Sequence, residues 1–321
     1  MIRNYQPKDA PELLRLWNTA GAAAGYVPMD AGEFREKLLD HPDFSPEYTF
    51  LLEENGILQG FVNGCTGDHI PKGDLRGYVS CLLLKQGADS LEHTAALLEA
   101  LENAFRKAGR TYSVSCFWCP IRFSWVIPGT EGHQHNNAPG VGVDLPLYGR
   151  MLSLGYREAA RETAMYRDLR DYQVPEKIKE KAAVMGERGY TVERYDPRRH
   201  TGLKEMLAAL ENPMWSSEIP EAAEKGMEVL VALEGNTCAG FTGPIYPEKS
   251  GRGYFAGIGV APKFQRKGLA TLLFYRLLER EKAAGASYMS LFTGENNPAR
   301  QIYLDAGFRE ARAFGVMMKE L

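Results

Sequence analysis

One stretch of the sequence decides the fold: Val260-Ala-Pro-Lys-Phe-Gln-Arg-Lys-Gly-Leu-Ala270. It is preceded by Gly253-Tyr-Phe-Ala-Gly-Ile-Gly-Val260, an apolar segment with glycines that predicts a β-strand. It is followed by residues 269–284, which lack glycine and proline and repeat apolar residues at helical spacing. A strand, a short turn and a helix in this order direct free backbone N–H groups toward one place. The helix dipole and the charges of Arg266 and Lys267 add positive potential, so the turn predicts a diphosphate site.

A second motif follows one helix and one strand later. Residues 287–293 predict the strand, and the motif is Asn-x-x-Ala-x-x-Ile-Tyr-x-x-x-Gly-Phe from Asn296 to Phe308. The turn itself has the pattern Gln-x-x-Gly-x-Ala, at Gln265, Gly268 and Ala270. In this order and spacing, the two motifs resemble those of the GNAT superfamily of acyl-CoA-dependent N-acetyltransferases. The resemblance extends over residues 253–308.

The resemblance implies that this part of the chain binds acetyl-CoA as a co-substrate. The strand would offer main-chain groups to the pantetheine and an N–H to the thioester oxygen, and its glycines would allow close approach. The turn would hold the diphosphate, and an asparagine would bond the pantetheine arm. The implied cofactor-binding residues are Ile258, Gly259, Val260, Gln265, Arg266, Lys267, Gly268, Leu269, Ala270 and Asn296. A helix cap for Gln265 and a solvated surface charge for Lys267 are the structural alternatives.

The resemblance further implies direct attack by an amine within a ternary complex. Tyr303 matches the position of the general acid that reprotonates the CoA sulfur, a role that suits a phenol because it is protonated at neutral pH. A core-edge tyrosine is the alternative role. The general base stays open between Glu295, Glu218 in the expected loop 212–220, and a water relay. Trp215 and Tyr254 are candidates either for the acceptor pocket or for the packed core.

Four short sequences recur in the same order along the chain, which predicts two tandem copies of one unit. The pairs are Ile2-Arg-Asn-Tyr-Gln-Pro7 with Val192-Glu-Arg-Tyr-Asp-Pro197, Gly60-Phe61 with Gly240-Phe241, Arg76-Gly-Tyr78 with Arg252-Gly-Tyr254, and Gly155-Tyr-Arg-Glu158 with Gly307-Phe-Arg-Glu310. We expect an α/β fold of two tandem GNAT-like units over residues 1–170 and 171–321. Each would be a twisted, mixed, mainly antiparallel sheet flanked by helices, and residues 310–319 would complete the second sheet.

The first copy lacks the features of the diphosphate turn. Its equivalent segment, Leu83-Leu-Lys-Gln-Gly-Ala-Asp-Ser-Leu91, contains Gly87 but no paired basic residues. Asp89 lies where it would repel a diphosphate. We therefore expect a degenerate first unit and a catalytic second unit.

The first copy also carries an insertion at about residues 118–143, rich in Gly, Pro, His and aromatic residues. Cys116 and Cys119, with His133 and His135, raise the hypothesis of a zinc site. However, strand positions three apart face opposite sides, and His-x-His is shorter than zinc-finger spacing, so no metal is predicted. The alternative is that residues 125–141 reach the second copy and shape its acceptor site.

Composition limits the class of protein. The chain has 321 residues, of which 44% are hydrophobic and 25% are charged, and its formal net charge is −3. This acidic balance disfavours nucleic acid and anionic membranes as partners. No apolar run is long enough for a membrane span or a signal peptide, and the five cysteines fit reduced thiols in the cytoplasm. Whether the chain is a monomer or a homodimer stays open.

The leading functional hypothesis is a cytoplasmic N-acetyltransferase that moves an acetyl group from acetyl-CoA to the primary amine of a small molecule. Two alternatives stay open: a protein or peptide N-acetyltransferase, and a non-catalytic acyl-CoA-binding sensor. The presence of Tyr303 favours an enzyme over a sensor.

Overall fold

The computed structural model describes residues 1–321, in which helices and strands alternate throughout. The strands up to residue 168 are β1 (Ile2–Asn4), β2 (Thr49–Glu54), β3 (Ile57–Cys65), β4 (Arg76–Leu84), β5 (Tyr112–Ser115), β6 (Trp125–Val126), β7 (Gln134–His135), β8 (Val141–Gly142) and β9 (Arg157–Asp168). The helices in this part are α1 (Ala10–Leu16), α2 (Ala31–Phe34), α3 (Leu91–Lys107) and α4 (Pro146–Ser153). One π-helical turn extends α1 over Trp17–Gly21, and another extends α2 over Arg35–Leu39.

The second part of the chain follows a similar order. Its helices are α5 (Glu176–Glu187), α6 (Leu203–Ala208), α7 (Pro213–Glu224), α8 (Leu269–Ala283) and α9 (Arg300–Asp305). Its strands are β10 (Tyr190–Arg194), β11 (Glu228–Glu234), β12 (Thr237–Ile245), β13 (Arg252–Gly253), β14 (Ile258–Val260), β15 (Tyr288–Gly294) and β16 (Arg309–Glu320). None of the helices in the chain combines the length and the apolar character that a bilayer crossing needs.

The chain divides into two compact units. The first contains Met1–Ala164 together with Ala311–Leu321, and the second contains Met165–Glu310. The sequence analysis placed the division near residue 170 and assigned the whole C-terminus to the second unit. The expectation that residues 310–319 complete the second sheet is wrong, because β16 pairs with β5 and β8 of the first unit. The apolar side chains of β16 explain this pairing, since Phe314 and Met317 are buried in the first unit.

The first unit has one large sheet, with the order β1-β2-β3-β4-β5-β16. All neighbours in this series are antiparallel except β4 and β5, which are parallel from Arg76 opposite Tyr112 to Tyr78 opposite Val114. Side chains from both faces of β4 are buried: Tyr78 belongs to one apolar cluster and Leu82 to another. The sheet is therefore covered on both sides, as expected for an α/β layer structure.

The second unit repeats this pattern in two pieces. Strands β10, β11, β12 and β14 form an antiparallel sheet, while β13 pairs in parallel with β15. One apolar core, which includes Phe241 and Phe274, lies between these strands and the helices of this unit. The predicted continuous strand over 253–260 is wrong, because the chain leaves β conformation between β13 and β14.

The predicted internal repeat has matching strand register in the two units. Gly60 lies opposite Leu84 on the neighbouring antiparallel strand, and Gly240 lies opposite Val260. The parallel pairs match as well: Arg76 lies opposite Tyr112, and Arg252 lies opposite Tyr288. Equivalent residues thus have equivalent partners, which is what two copies of one unit require.

The segment 212–220 was expected to be a loop, and this is wrong. It forms the first part of α7, because the side chain of Asn212 accepts hydrogen bonds from the N–H groups of Met214 (3.1 Å) and Trp215 (3.3 Å). Pro213 follows at the first helical position, where its missing N–H costs nothing. The later Pro220 is inside the helix without ending it.

A buried carboxyl group distinguishes the core of the second unit. A Cβ atom added to Gly77 would lie 2.2 Å from the ring of Phe105, and one added to the equivalent Gly253 would lie 2.9 Å from Oε2 of Glu281. Glu281 therefore occupies the place that a phenylalanine has in the first unit. Its side chain is fully buried, and neither carboxyl oxygen has a hydrogen-bond partner. Burial raises its pKa to about 9, so this acid is neutral at pH 7.

We expect Glu281→Gln to flatten the pH dependence of stability. The pKa of Glu281 is higher in the native state than in the unfolded state. Its contribution to the unfolding free energy is therefore complete at low pH and decreases as the pH rises toward 9. Between about pH 5.5 and 8, wild type should lose about 1.4 kcal/mol of unfolding free energy per pH unit relative to the variant. Urea unfolding at several pH values measures this, with Glu279→Gln on the exposed face of the same helix as the control. Parallel pH profiles of wild type and Glu281→Gln would contradict the assignment.

Candidate functional site

The turn before α8 has the geometry of an anion site. Gly268 precedes the helix with a φ of 85°, and Arg266 has a φ of 61°. No side chain caps α8, so the first N–H groups of the helix have no partner within it. The side chain of Gln265 donates a hydrogen bond of 3.1 Å to the carbonyl oxygen of Val260. Gln265 thus connects the turn to β14 and does not cap the N–H groups at the start of α8.

A lysine that the sequence analysis did not single out lies over this turn. A Cβ atom on Gly268 would lie 2.6 Å from Cε and 2.7 Å from Nζ of Lys181, which comes from α5. The glycine therefore makes room for an ammonium group beside the open helix start. No local motif marks Lys181, because its position results from the packing of α5 against α8.

The two motif cations behave differently. Lys267 is drawn toward β10 and β11, where its Nζ contacts the hydroxyl of Tyr190 and lies 3.6 Å from Oε1 of Glu234. The hydrogen bond with Tyr190 raises the pKa of Lys267, so its charge is retained. Arg266 is exposed, whereas the Leu269 side chain is buried and leaves only its backbone available to a ligand.

The strands that frame the site diverge. β13 pairs with β15 only through Arg252 and Gly253, while β14 pairs with β12 and is the last strand of its sheet. One edge of β14, formed by Ile258, Gly259 and Val260, therefore has no neighbouring strand, and the Val260 carbonyl oxygen accepts from Gln265. These are the residues that the resemblance implied for the pantetheine.

The strand glycines serve the packing of the protein itself. A Cβ atom on Gly259 would lie 2.4 Å from Cδ1 of Leu210, and one on Gly257 would lie 2.5 Å from the ring of Trp215. The face of Gly259 that was expected to be open for a ligand is thus filled by Leu210. Trp215 also donates from Nε1 to the carbonyl oxygen of Ala256 at 3.0 Å, which holds the break between β13 and β14.

Tyr303 lies in an aromatic cluster. Its side chain is 3% exposed, and its ring centroid is 4.7 Å from that of Phe274, 6.3 Å from that of Phe255 and 6.4 Å from that of Phe308. Burial raises the pKa of its hydroxyl above the usual value. The group therefore holds its proton at neutral pH in surroundings of low polarity.

A polar cluster lies at the amino end of the β13–β14 segment. The hydroxyl of Tyr254 donates to Oε1 of Glu218 at 2.7 Å, and its ring stacks on that of Tyr246 with centroids 4.7 Å apart. Burial, reinforced by the hydrogen bond to Glu218, raises the pKa of Tyr254. The structure thus brings together two of the predicted acceptor-site residues, Glu218 and Tyr254, with Tyr246, which the sequence analysis missed.

Glu295 and Asn296 lie elsewhere, on the exposed turn after β15. β13 and β15 are parallel, so the carboxyl end of β15 faces the same edge as the diphosphate turn. The cluster around Tyr254 is at the other end of a segment of six residue steps, which spans at most about 20 Å. The two candidates for a general base therefore lie at opposite ends of the site.

The first unit is built differently at the equivalent helix start. The Ser90 side chain accepts a hydrogen bond of 3.1 Å from the N–H of His93, so α3 is capped where α8 is open. Asp89, which was expected to repel a diphosphate, forms an ion pair with Arg150 and is compensated. The capped helix start, more than the charge of Asp89, distinguishes this turn from that of the second unit.

Comparison with known proteins agrees with this geometry. Residues 195–308 match the model of the acetyltransferase (GNAT) family. No curated protein matches the chain in sequence.

Three solved structures have a similar fold. A glucosamine N-acetyltransferase region of a fungal multi-domain GH3 β-N-acetylglucosaminidase aligns with a TM-score of 0.70 and 16% identity, over 99% of this chain and 38% of that one. This chain thus spans well under half of that enzyme. A GCN5-related N-acetyltransferase from Sphaerobacter thermophilus aligns with a TM-score of 0.63 and 16% identity, over 100% of this chain and 95% of that one. A tandem GNAT protein from the clavulanic acid biosynthesis pathway aligns with a TM-score of 0.57 and 16% identity, over 100% of this chain and 98% of that one. These similarities confirm the predicted fold class.

We expect Lys181→Ala to weaken the binding of inorganic pyrophosphate to the turn. Loss of one charge beside the helix start should cost about 1 kcal/mol, or roughly fivefold in affinity. Isothermal titration at low salt measures the effect. Lys179→Ala is the control, because this lysine of the same helix is paired with Glu176. Equal weakening by both substitutions would mean that only the net charge of the protein matters.

Proposed function

Because residues 195–308 match the model of the acetyltransferase (GNAT) family, we propose that the second unit transfers an acetyl group from acetyl-CoA to the amine of a small molecule. The observation that carries the proposal is the uncapped start of α8 beneath Lys181, next to the free edge of β14. An open helix start with a nearby cation suits a diphosphate, and an unpaired strand edge suits the amide groups of pantetheine.

The residues present fit acetyl-CoA. Lys181, Arg266 and the backbone of residues 265–270 would hold the diphosphate, and the edge of β14 would hold the pantetheine arm. When bound, acetyl-CoA supplies an acetyl group activated as a thioester. Asn296 lies at the same edge of the sheet as the turn, which supports its expected place beside the cofactor.

We assign to Tyr303 the role of the general acid that donates a proton to the departing CoA sulfur. Its raised pKa keeps the hydroxyl protonated, and the surrounding phenylalanine rings exclude water, so the hydroxyl can donate when negative charge develops nearby. This arrangement also has a structural role, because the ring is part of the core of the second unit.

Glu218 is the better placed of the two candidate bases. Diphosphate and thioester are at opposite ends of the pantetheine arm, so an acceptor amine enters at the end away from the turn. Glu218 lies at that end and accepts a hydrogen bond from Tyr254. Glu295 instead follows β15, at the edge of the sheet where the diphosphate turn lies. The carboxylate of Glu218 and the stacked rings of Tyr246 and Tyr254 also suit a cationic amine, which must give up a proton before it attacks.

The function is tested with acetyl-CoA and a panel of amines. Millimolar acetyl-CoA should raise the Tm by several degrees, since a ligand at 100 times its Kd adds about 2.7 kcal/mol. Ala270→Trp at the helix start should abolish the shift, while Ala283→Trp at the exposed end of the same helix should retain it. Release of CoA thiol then identifies the acceptor among polyamines, amino acids, glucosamine and peptides. No shift in wild type would refute the cofactor assignment, and a shift without turnover would favour a sensor.

For the best acceptor, Tyr303→Phe and Glu218→Gln should each lower kcat by about 10²- to 10⁴-fold, as expected for the loss of a general acid or base. The affinity of these variants for acetyl-CoA, measured by the thermal shift, should change little. Tyr195→Phe and Glu221→Gln are matched controls in the same unit, and both should retain activity. The role of either residue is refuted by a variant whose kcat stays within threefold of wild type.

A further inference from the structure

The first unit contains a large cavity that the proposed transferase activity does not use. Its volume is about 720 Å³, within the usual range for small-molecule sites. It forms where the parallel strands diverge: β4 and β5 pair only as far as Tyr78 and Val114, while β4 continues to Leu84 along the cavity wall. The space is therefore a consequence of the strand divergence that also frames the site of the second unit.

The interior of the cavity is mainly apolar. Its lining includes Tyr26, Leu82, Leu98, Phe123, Trp125 and Met151. Cys81 and Cys116 also line the wall, and burial raises their pKa values to about 12 and about 11, so both thiols are uncharged. Burial likewise raises the pKa of the Tyr26 hydroxyl. The inner walls thus carry no negative charge.

The insertion of the first copy builds one side of this cavity. Ile121, Phe123, Trp125 and Val141 all contribute to the lining. The Trp125 Nε1 donates a hydrogen bond of 2.8 Å to the carbonyl oxygen of Asn137, which ties the two ends of the inserted loop together. The structure thus gives the insertion a role within its own unit.

The two cysteines and two histidines of the zinc hypothesis are not gathered into one cluster. Cys119 lies 3.8 Å from Cys65, sulfur to sulfur, and His135 pairs with Trp125 across the hairpin of β6 and β7. No cluster of three or more potential ligands is arranged to hold a metal. The cavity that the insertion encloses therefore remains the feature to explain.

Positive charges surround the cavity. Lys85 directly follows β4, Arg122 lies in the loop after β5, and both residues contribute to the lining. Arg122 is exposed and Lys85 is half-buried, so the two cations lie at the rim of the same cavity. The third cation, Arg150, is neutralised by Asp89, the only carboxylate in the lining. The lining therefore has a net charge of about +2.

We propose that the cavity of the first unit binds a small apolar carboxylic acid, with its aromatic or aliphatic body inside and its carboxylate between Lys85 and Arg122. An amine would find no unpaired carboxylate there, since Asp89 is held by Arg150. A diphosphate would find the start of α3 capped by Ser90. A neutral apolar ligand would leave the two cations of the rim unused. The inference does not depend on the transferase activity of the second unit.

Octanoate, 1-octanol and octylamine test the proposal, because they share one apolar chain and differ in charge. In isothermal titration of the full chain, octanoate should bind at least tenfold more tightly than 1-octanol, and octylamine should bind most weakly. The double substitution Lys85→Ala/Arg122→Ala should remove the advantage of octanoate over 1-octanol and leave 1-octanol unchanged. Lys107→Ala, a surface lysine at the end of α3, is the control for net charge.

A second variant tests the location. Ala23 is exposed and lines the cavity mouth, so Ala23→Trp should weaken all ligands by steric block with little effect on folding. Equal affinity for octanoate and 1-octanol would overturn the proposal, as would unchanged octanoate binding in either cavity variant. Displacement of octanoate by acetyl-CoA in the Ala270→Trp background would also overturn it, because the cavity would then be a second acyl-CoA site.

Discussion

The structure depends on one constraint: in each unit two parallel strands pair for only two or three residues and then separate. In the first unit the pairing ends at Tyr78 and Val114, and in the second it ends at Gly253 and Met289. Backbone groups beyond these points need other partners. They can bond a ligand, a neighbouring strand or water, so the divergence creates a place for a ligand in both copies.

The two copies use this place differently because the helix that follows starts differently. In the second unit a glycine with positive φ begins α8, no side chain caps it, and Lys181 lies alongside. In the first unit Ser90 caps α3 and the equivalent turn carries an ion pair. The capping hydroxyl of Ser90 satisfies one of the amides that a diphosphate would need. One copy therefore has an open helix start that suits an anion, while the other has a capped helix start and a large apolar cavity.

The same comparison explains the buried acid of the second unit. Phe105 fills the space over Gly77, so packing at this place does not require a carboxyl group. Glu281 occupies the equivalent place without hydrogen-bond partners and is neutral at pH 7 because of its burial. The buried acid lies near Tyr246, one member of the polar cluster.

The sequence by itself determined the features that depend on residues close together in the chain. The turn at Gly268, the motif that contains Tyr303 and the short internal echoes were sufficient for the α/β class and the tandem arrangement, because local backbone geometry needs particular residues at fixed spacing. Only the tertiary structure decided which distant groups meet. It brought Lys181 over Gly268, bonded Tyr254 to Glu218, and paired β16 with β5. Each of these contacts joins separate elements whose packing is set by the whole buried core, and no short stretch of sequence encodes it.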